Sequence, residues 1–246
     1  MGELSDAWGQ AYLNFYRGGP SFLIFERDDG FVNAQSTAQE YFAGYKDWSS
    51  NEKAAIKYAK GRCLDAGCGA GRVSLYLQSR RLKVTAIDES SIAIKVCKLR
   101  HIKDARVLSV EGAKNIGGTP FDTILMFGNG FTIFGNREKA KRLLRNFFRL
   151  TSRVGTIIVE SRDPYITDNP VHFAYHRRNI KLGRMPGQLR ERVRFMQYCT
   201  DWFDALFASK KEVKNLLKGT GWKVAKFIDS PHFKSDGKFF VIMKKE

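Results

Sequence analysis

Between Arg62 and Glu160 short apolar runs alternate with segments whose apolar residues recur every three or four positions. The runs Arg62–Ala66, Lys83–Asp88, Val107–Val110, Phe121–Phe127 and Gly155–Glu160 predict strands. The intervening segments Arg72–Arg80, Ser90–His101 and Glu138–Leu150 predict helices. Repeated strand–helix units imply an α/β fold: a parallel sheet with helices on both faces, wound by right-handed crossovers. Residues 161–208 break the rhythm with Pro164, Pro170, Pro186 and a dense basic run, and then it resumes. Ser209 and Glu212 form a capping box that opens a helix, Gly219 and Gly221 end it, and Trp222–Asp229 and Lys238–Met243 read as two last strands. Residues 161–208 are therefore expected to be an insertion after the fifth strand, near the carboxyl edge of the sheet, where such folds bind ligands. Residues 1–60 are expected to be a separate helical lid, with a helix from Gln35 to Tyr58 carrying Tyr41, Phe42, Tyr45 and Trp48, and residues 61–246 the main domain.

Composition narrows the setting. No apolar run approaches the ~20 residues needed to cross a bilayer. The start, Met1-Gly2-Glu3-Leu4-Ser5-Asp6, lacks the charged and apolar regions of a secretory signal, so a cytoplasmic protein without membrane partners is expected. None of the four cysteines pairs as Cys-x-x-Cys, and they read as small reduced core residues. His172 and His176 are spaced i,i+4 but lack an evident third ligand, so no metal is expected. The formal net charge is +17, yet residues 1–60 net −2, so the positive charge is concentrated in the remainder and favours polyanions.

The most specific signal is Asp65-Ala66-Gly67-Cys68-Gly69-Ala70-Gly71 at the end of the first predicted strand. Glycines there permit left-handed backbone and close approach of a ligand. A dinucleotide turn needs a glycine three positions after the second one, and Arg72 stands there instead. Asp65 would repel a pyrophosphate but suits a ligand carrying an ammonium group and a sulfonium. The next strand ends in Asp88, 17 residues beyond Gly71, where a carboxylate can accept hydrogen bonds from both hydroxyls of a ribose.

The acid, the three glycines and the second acid resemble motif I and its successor in class I S-adenosylmethionine (SAM)-dependent methyltransferases. The resemblance spans about residues 60–160 and 209–243. It implies a Rossmann-like methyltransferase sheet, SAM as cofactor, and contacts from Asp65, Gly67, Gly69, Gly71 and Asp88. Many relatives bind the adenine amine through Asp-Ala after the third strand; here Val110-Glu111-Gly112-Ala113 places Glu111 one residue early, with a backbone group as the alternative.

Two loops are candidates for the acceptor site. The fourth strand runs into Gly128-Asn129-Gly130-Phe131, which shares an Asn and an aromatic residue with the Asn-Pro-Pro-Tyr-like tetrad of nucleobase amine methyltransferases but lacks both prolines. Asp163-Pro164-Tyr165 has that tetrad's core after the fifth strand, and equally suits a proline-fixed turn with an Asp cap. Asn129, Asp163 and Tyr165 are thus the catalytic candidates, and Phe131 the stacking candidate. From Arg177 to Arg194 seven residues are Lys or Arg, and the alternation from Leu189 to Tyr198 places Arg190, Arg192 and Arg194 on one face of a strand, a row suited to phosphates. Arg142, Arg145 and Arg149 recur along the helix after Asn136. With no cysteine in either loop, the expected reaction is methylation of ribosomal or transfer RNA at an exocyclic base amine such as cytidine N4. The rivals are a small-molecule or protein methyltransferase of the same fold, and a module that binds SAM and RNA without catalysis.

Overall fold

The computed structural model describes residues 3–246, with Glu3, Gln35 and Ser36 described by backbone alone. The chain opens with α1 (Ala7–Tyr16), the hairpin β1 (Phe22–Arg27) and β2 (Val32–Thr37), and the short α2 (Ser50–Ala55). Next come β3 (Arg62–Ala66), α3 (Arg72–Ser79), β4 (Lys83–Asp88), α4 (Ser91–Leu99) and β5 (Ala105–Val107). They are followed by β6 (Phe121–Met126), α5 (Arg137–Leu150), β7 (Thr151–Arg162), α6 (Pro170–Lys181), β8 (Gln188–Phe195), β9 (Tyr198–Cys199) and β10 (Phe203–Leu206). The chain closes with α7 (Lys210–Leu217), β11 (Trp222–Asp229), α8 (Phe233–Asp236) and β12 (Lys238–Lys245). Seven strands form one sheet in the order β11-β12-β7-β6-β3-β4-β5, and a second sheet runs β10-β8-β1-β2 with β9 beside β8. The pairs β4–β5 and β6–β7 are parallel, while β12 is antiparallel to both β7 and β11. In the larger sheet the order reverses at β3, whose carboxyl end carries the glycine turn; such reversals are where open α/β sheets bind ligands.

Two compact units can be described. The first comprises the chain through Trp48, Leu64–Asn115 and Arg190–Phe203. Its core joins Ala7, Ala11 and Tyr12 of α1, Leu23 of β1, Val96 of α4, and Val193 and Phe195 of β8. The expected helix over residues 35–58 is replaced by β2, two 3-10 turns (Ala38–Phe42 and Tyr45–Asp47), α2 and a third turn, Ile56–Tyr58. Local chemistry divides it: Thr37 Oγ1 accepts the Gln39 N–H, Gly44 interrupts, and Ser49 with Glu52 restarts the chain as a capping box. The aromatic residues of this stretch do pack: Tyr45 stacks on Tyr76 at 4.4 Å, and Tyr41 lies 5.1 Å from Tyr12. The hairpin β1–β2 was not legible as a lid element; it pairs with β8, so the amino-terminal segment contributes strands as well as a helix.

The second unit comprises Ser49–Cys63, Ile116–Leu189 and Asp204–Glu246. Ile157, Ile158 and Val159 of β7 are fully buried, as expected for a strand covered on both faces. Strand β7 starts at Thr151, earlier than the apolar run implies: Thr151 is buried, but Arg153 and Val154 are exposed and the buried run begins only at Gly155. Helix α5 is capped by Asn136 Oδ1 on the Lys139 N–H; Leu143, Leu144 and Phe147 face inward, and Arg142, Arg145 and Arg149 face solvent. The Ser209–Glu212 capping box forms as read from the sequence. In the first unit, the expected strand Val107–Val110 is replaced by β5, which shares only Val107 with it and is followed by a 3-10 turn, Glu111–Asn115. Among the described residues no helix is long and apolar enough to cross a membrane.

Candidate active site

The first unit gathers the glycine turn and both acids. Gly67, Gly69 and Gly71 all have positive φ, at 76°, 53° and 80°. The Gly67 and Cys68 N–H groups both donate to the Ile87 carbonyl, at 2.9 and 3.0 Å, tying the turn to the end of β4. At Gly71 a side chain would collide with Ile102 Cδ1 and sit 3.0 Å from Cys97 Sγ, so only glycine lets α3 start this close to α4. At Gly69 a Cβ would lie 3.2 Å from Tyr12 Oη and 3.4 Å from Tyr41, so α1 and the 3-10 turn after β2 border the same loop.

Asp65 is 2% exposed. Its Oδ2 accepts the Ser74 hydroxyl at 2.7 Å, which locks β3 to α3, and burial pushes its carboxyl up to about 6 against that bond and the Arg72 charge. Asp88, at the end of β4, accepts the Gly69 N–H on Oδ2 and the Ser90 N–H on Oδ1, both at 3.0 Å. Burial lifts its carboxyl to about 6, although both backbone bonds act to lower it. Each Asp88 oxygen keeps further lone-pair capacity beyond its backbone partner. Two desolvated acids beside a close-approach turn fit a cofactor that is positively charged and carries a ribose diol, which is the chemistry of SAM. Glu111 opens the turn after β5 and is half-buried.

In the second unit the β6 strand leads to Asn129, held left-handed at φ 60° and ψ 30°. Its N–H donates to Glu160 Oε2 at 2.8 Å, from a β7 carboxylate that is 6% exposed. The Asn129 Oδ1 atom is buried and has no hydrogen-bond partner among the described residues. Phe131 does not fit its expected stacking role: it is 1% exposed and packs edge-on against Phe134 at 4.8 Å, because the 3-10 turn Gly130–Phe134 rotates it into the core. Asp163 Oδ1 accepts the Tyr165 N–H at 3.0 Å, the Asp-capped turn that the proline spacing allows. Tyr165 is exposed and its hydroxyl donates to Glu212 Oε1 at 2.9 Å, which with burial pushes the phenol up. Burial likewise raises the Asp163 carboxyl. Glu160 escaped the sequence reading, although an acid within the run Ile157–Ser161 was its signal.

The arginine row exists but is partly neutralised. Val193 and Phe195 of β8 are buried, and Arg190, Arg192 and Arg194 alternate with them. The β1–β8 register sets Arg192 opposite Glu26, which takes Arg192 Nη2 and Arg194 Nε, each at 2.8 Å. The Arg192 guanidinium also lies 4.6 Å over the Trp202 ring. Both arginines hold the Glu26 carboxyl down at about 2. Among the described residues no group of three or more His, Cys, Asp or Glu is placed to hold a metal ion.

A seven-stranded α/β sheet with a glycine turn at its order reversal and a ribose-type acid on the next strand defines a SAM-binding transferase of the Rossmann-like kind. Residues 63–155 match a family model described as a methyltransferase domain. The chain is a class I, Rossmann-like SAM-dependent methyltransferase. A SAM-dependent methyltransferase from Bacteroides fragilis, crystallised with S-adenosyl-L-homocysteine, is 25% identical, with 100% of this chain and 97% of that one covered at a TM-score of 0.83. A SAM-dependent methyltransferase from Methanosarcina mazei shares the fold at 18% identity, covering 78% and 96% of the two chains at a TM-score of 0.60. So does the 1,6-didemethyltoxoflavin-N1-methyltransferase of Burkholderia thailandensis, crystallised with 1,6-didemethyltoxoflavin and S-adenosylhomocysteine, at 14% identity, 82% and 80% coverage and a TM-score of 0.52. No curated protein matches the sequence.

Proposed function

We propose that this methyltransferase acts on a small organic molecule and methylates a nitrogen that bears a hydrogen. The observation that carries the reading is Asn129 Oδ1, a buried carbonyl oxygen with no partner. An acceptor left unpaired costs about 1–3 kcal/mol, so its retention in a tightly held loop suits a ligand N–H. The Glu160 carboxylate fixes the loop by accepting the Asn129 N–H. By accepting the N–H, Asn129 would fix the orientation of the acceptor nitrogen and its lone pair; after transfer the nitrogen sheds its proton to water. Bound SAM supplies the methyl as a sulfonium electrophile. Asp88 would hold the cofactor ribose, the turn at Gly67, Gly69 and Gly71 would let it approach the backbone, and Asp65 would keep the turn anchored and negatively polarised. Alignment and exclusion of water are most of what such a transfer needs. The Burkholderia enzyme, named for N1 methylation of a small molecule, supports this reading by analogy of fold.

RNA is the second reading, with an exocyclic amine such as cytidine N4 as target. It is favoured by the net charge of +17 and by the solvent-facing Arg142, Arg145 and Arg149. Against it stands Glu26, which occupies two of the three arginines meant to grip phosphates. Incubation with methyl-labelled SAM and separate pools of metabolite extract, transfer RNA, ribosomal RNA and protein decides between them. Label in the metabolite fraction alone supports the small-molecule reading; label in RNA alone overturns it.

A further inference from the structure

The loop and acid that fit SAM are bonded to the amino-terminal helix through an unusual cap. Asp6 is the N-cap of α1: its Oδ1 accepts the Gly9 N–H at 2.8 Å. A cap needs only that oxygen, and serine or asparagine would supply it. Yet Asp6 is 2% exposed, and its second oxygen, Oδ2, takes the Ser90 hydroxyl at 2.6 Å from 84 residues away. Ser90 Oγ in turn accepts the Ala93 N–H at 2.8 Å and caps α4, while the Ser90 N–H donates to Asp88 Oδ1. The opposite oxygen of Asp88 holds the Gly69 N–H. A continuous run of hydrogen bonds thus leads from α1 through Ser90 and Asp88 to the glycine turn. Gly9 keeps the junction close, since a side chain there would strike Ser90 Oγ and the Asp6 carboxylate. Tyr12, one turn further along α1 and 4% exposed, meets Gly69 from the same helix.

We infer that Asp6 is a positioning residue for the cofactor: through Ser90 it sets the Asp88 carboxylate, so docking of α1 and binding of the cofactor are coupled. The inference rests on Asp88 binding SAM and is independent of the acceptor's identity. Burial argues for this role, because a desolvated carboxylate is retained only where its bonds are used. Coupling is reciprocal: whatever α1 docking does for cofactor affinity, the cofactor must do for α1.

The test is S-adenosylhomocysteine affinity by calorimetry for wild type, Asp6→Ala, Ser90→Ala, the double variant, Ser90→Thr and Asp88→Ala. Asp6→Ala and Ser90→Ala should each weaken binding about tenfold, with the double variant no weaker than the worse single one, since residues in one hydrogen-bonded network are not additive. Ser90→Thr keeps the hydroxyl and should bind like wild type. Wild-type hydrogen exchange needs no variant to fold: amides of residues 7–16 should gain protection when S-adenosylhomocysteine is added. An Asp6→Ala protein that melts lower but binds normally, or exchange in α1 that ignores the ligand, overturns the inference and leaves Asp6 a plain helix cap. Normal binding by Asp88→Ala would instead remove the premise on which it rests.

Discussion

Replacing Asp88 by alanine separates what this side chain does for the cofactor from what it does for the fold. Its carboxyl stands at about 6 against an ordinary 3.8, so at neutral pH the charge burdens the ligand-free fold by at most about 3 kcal/mol. Alanine removes that burden but strands the Gly69 and Ser90 N–H groups, each at about 1–3 kcal/mol when buried. The two effects oppose each other, and the melting temperature of the ligand-free variant should stay within a few degrees of wild type. Nothing offsets the loss of the two ribose acceptors. Binding of S-adenosylhomocysteine should weaken by about 1–3 kcal/mol, or roughly 5- to 150-fold in dissociation constant. Calorimetry gives the affinity and differential scanning the stability. A variant that binds as wild type does would refute Asp88 as the ribose acid. A large drop in melting temperature with a proportionate fall in binding would show that the carboxylate acts through the fold.

Other expectations follow from the same geometry. Ligand hydroxyls favour the ionised form of Asp88, so S-adenosylhomocysteine affinity should be flat from pH 8 to about 7 and fall through about 6 as Asp65 and Asp88 take up protons, measurable as a calorimetric pH series. The sign for ligand-free stability is opposite: carboxyls raised in the fold contribute most below about pH 4, and that contribution is lost as pH rises through about 6. Gly71→Ala places a side chain against Ile102 and Cys97 at φ 80° and should destabilise by about 1–3 kcal/mol, read as a lower urea midpoint. Asn129→Ala should slow methyl transfer about 10- to 100-fold, as loss of one positioning contact does, with S-adenosylhomocysteine affinity unchanged. Arg192→Gln with Arg194→Gln frees Glu26, so its carboxyl should rise from about 2 toward the ordinary range in a nuclear magnetic resonance titration; a steeply lower RNA affinity in the same variant would favour the RNA reading.

The parts of the fold that follow from local patterning were legible in the sequence. Strands buried on both faces, such as Ile157–Val159, announce themselves as apolar runs, and capping boxes such as Ser209–Glu212 mark helix starts by the spacing of two side chains. The glycine turn was legible because its left-handed backbone admits few other residues. What escaped depended on partners distant in sequence. The β1–β2 hairpin gains its strand identity by pairing with β8, more than 150 residues later, and the same register brings Glu26 onto Arg192 and Arg194. Phe131 looked like a substrate platform because its loop was right, yet the turn Gly130–Phe134 decides which way it faces. Asp6 was only one residue of a polar start; its cap on α1 and its second bond to Ser90 appear once α1 lies on α4. Glu160 was an acid in an apolar strand, and only the fold gives it the Asn129 N–H to hold.

The central claim is that the turn from Asp65 to Gly71, with Asp88, binds SAM. Equilibrium dialysis of the wild-type protein against labelled SAM, with S-adenosylhomocysteine as competitor, tests it most directly. One displaceable SAM per chain, reduced by Asp88→Ala, is the predicted result; a folded protein that retains no label at saturating SAM would contradict the claim.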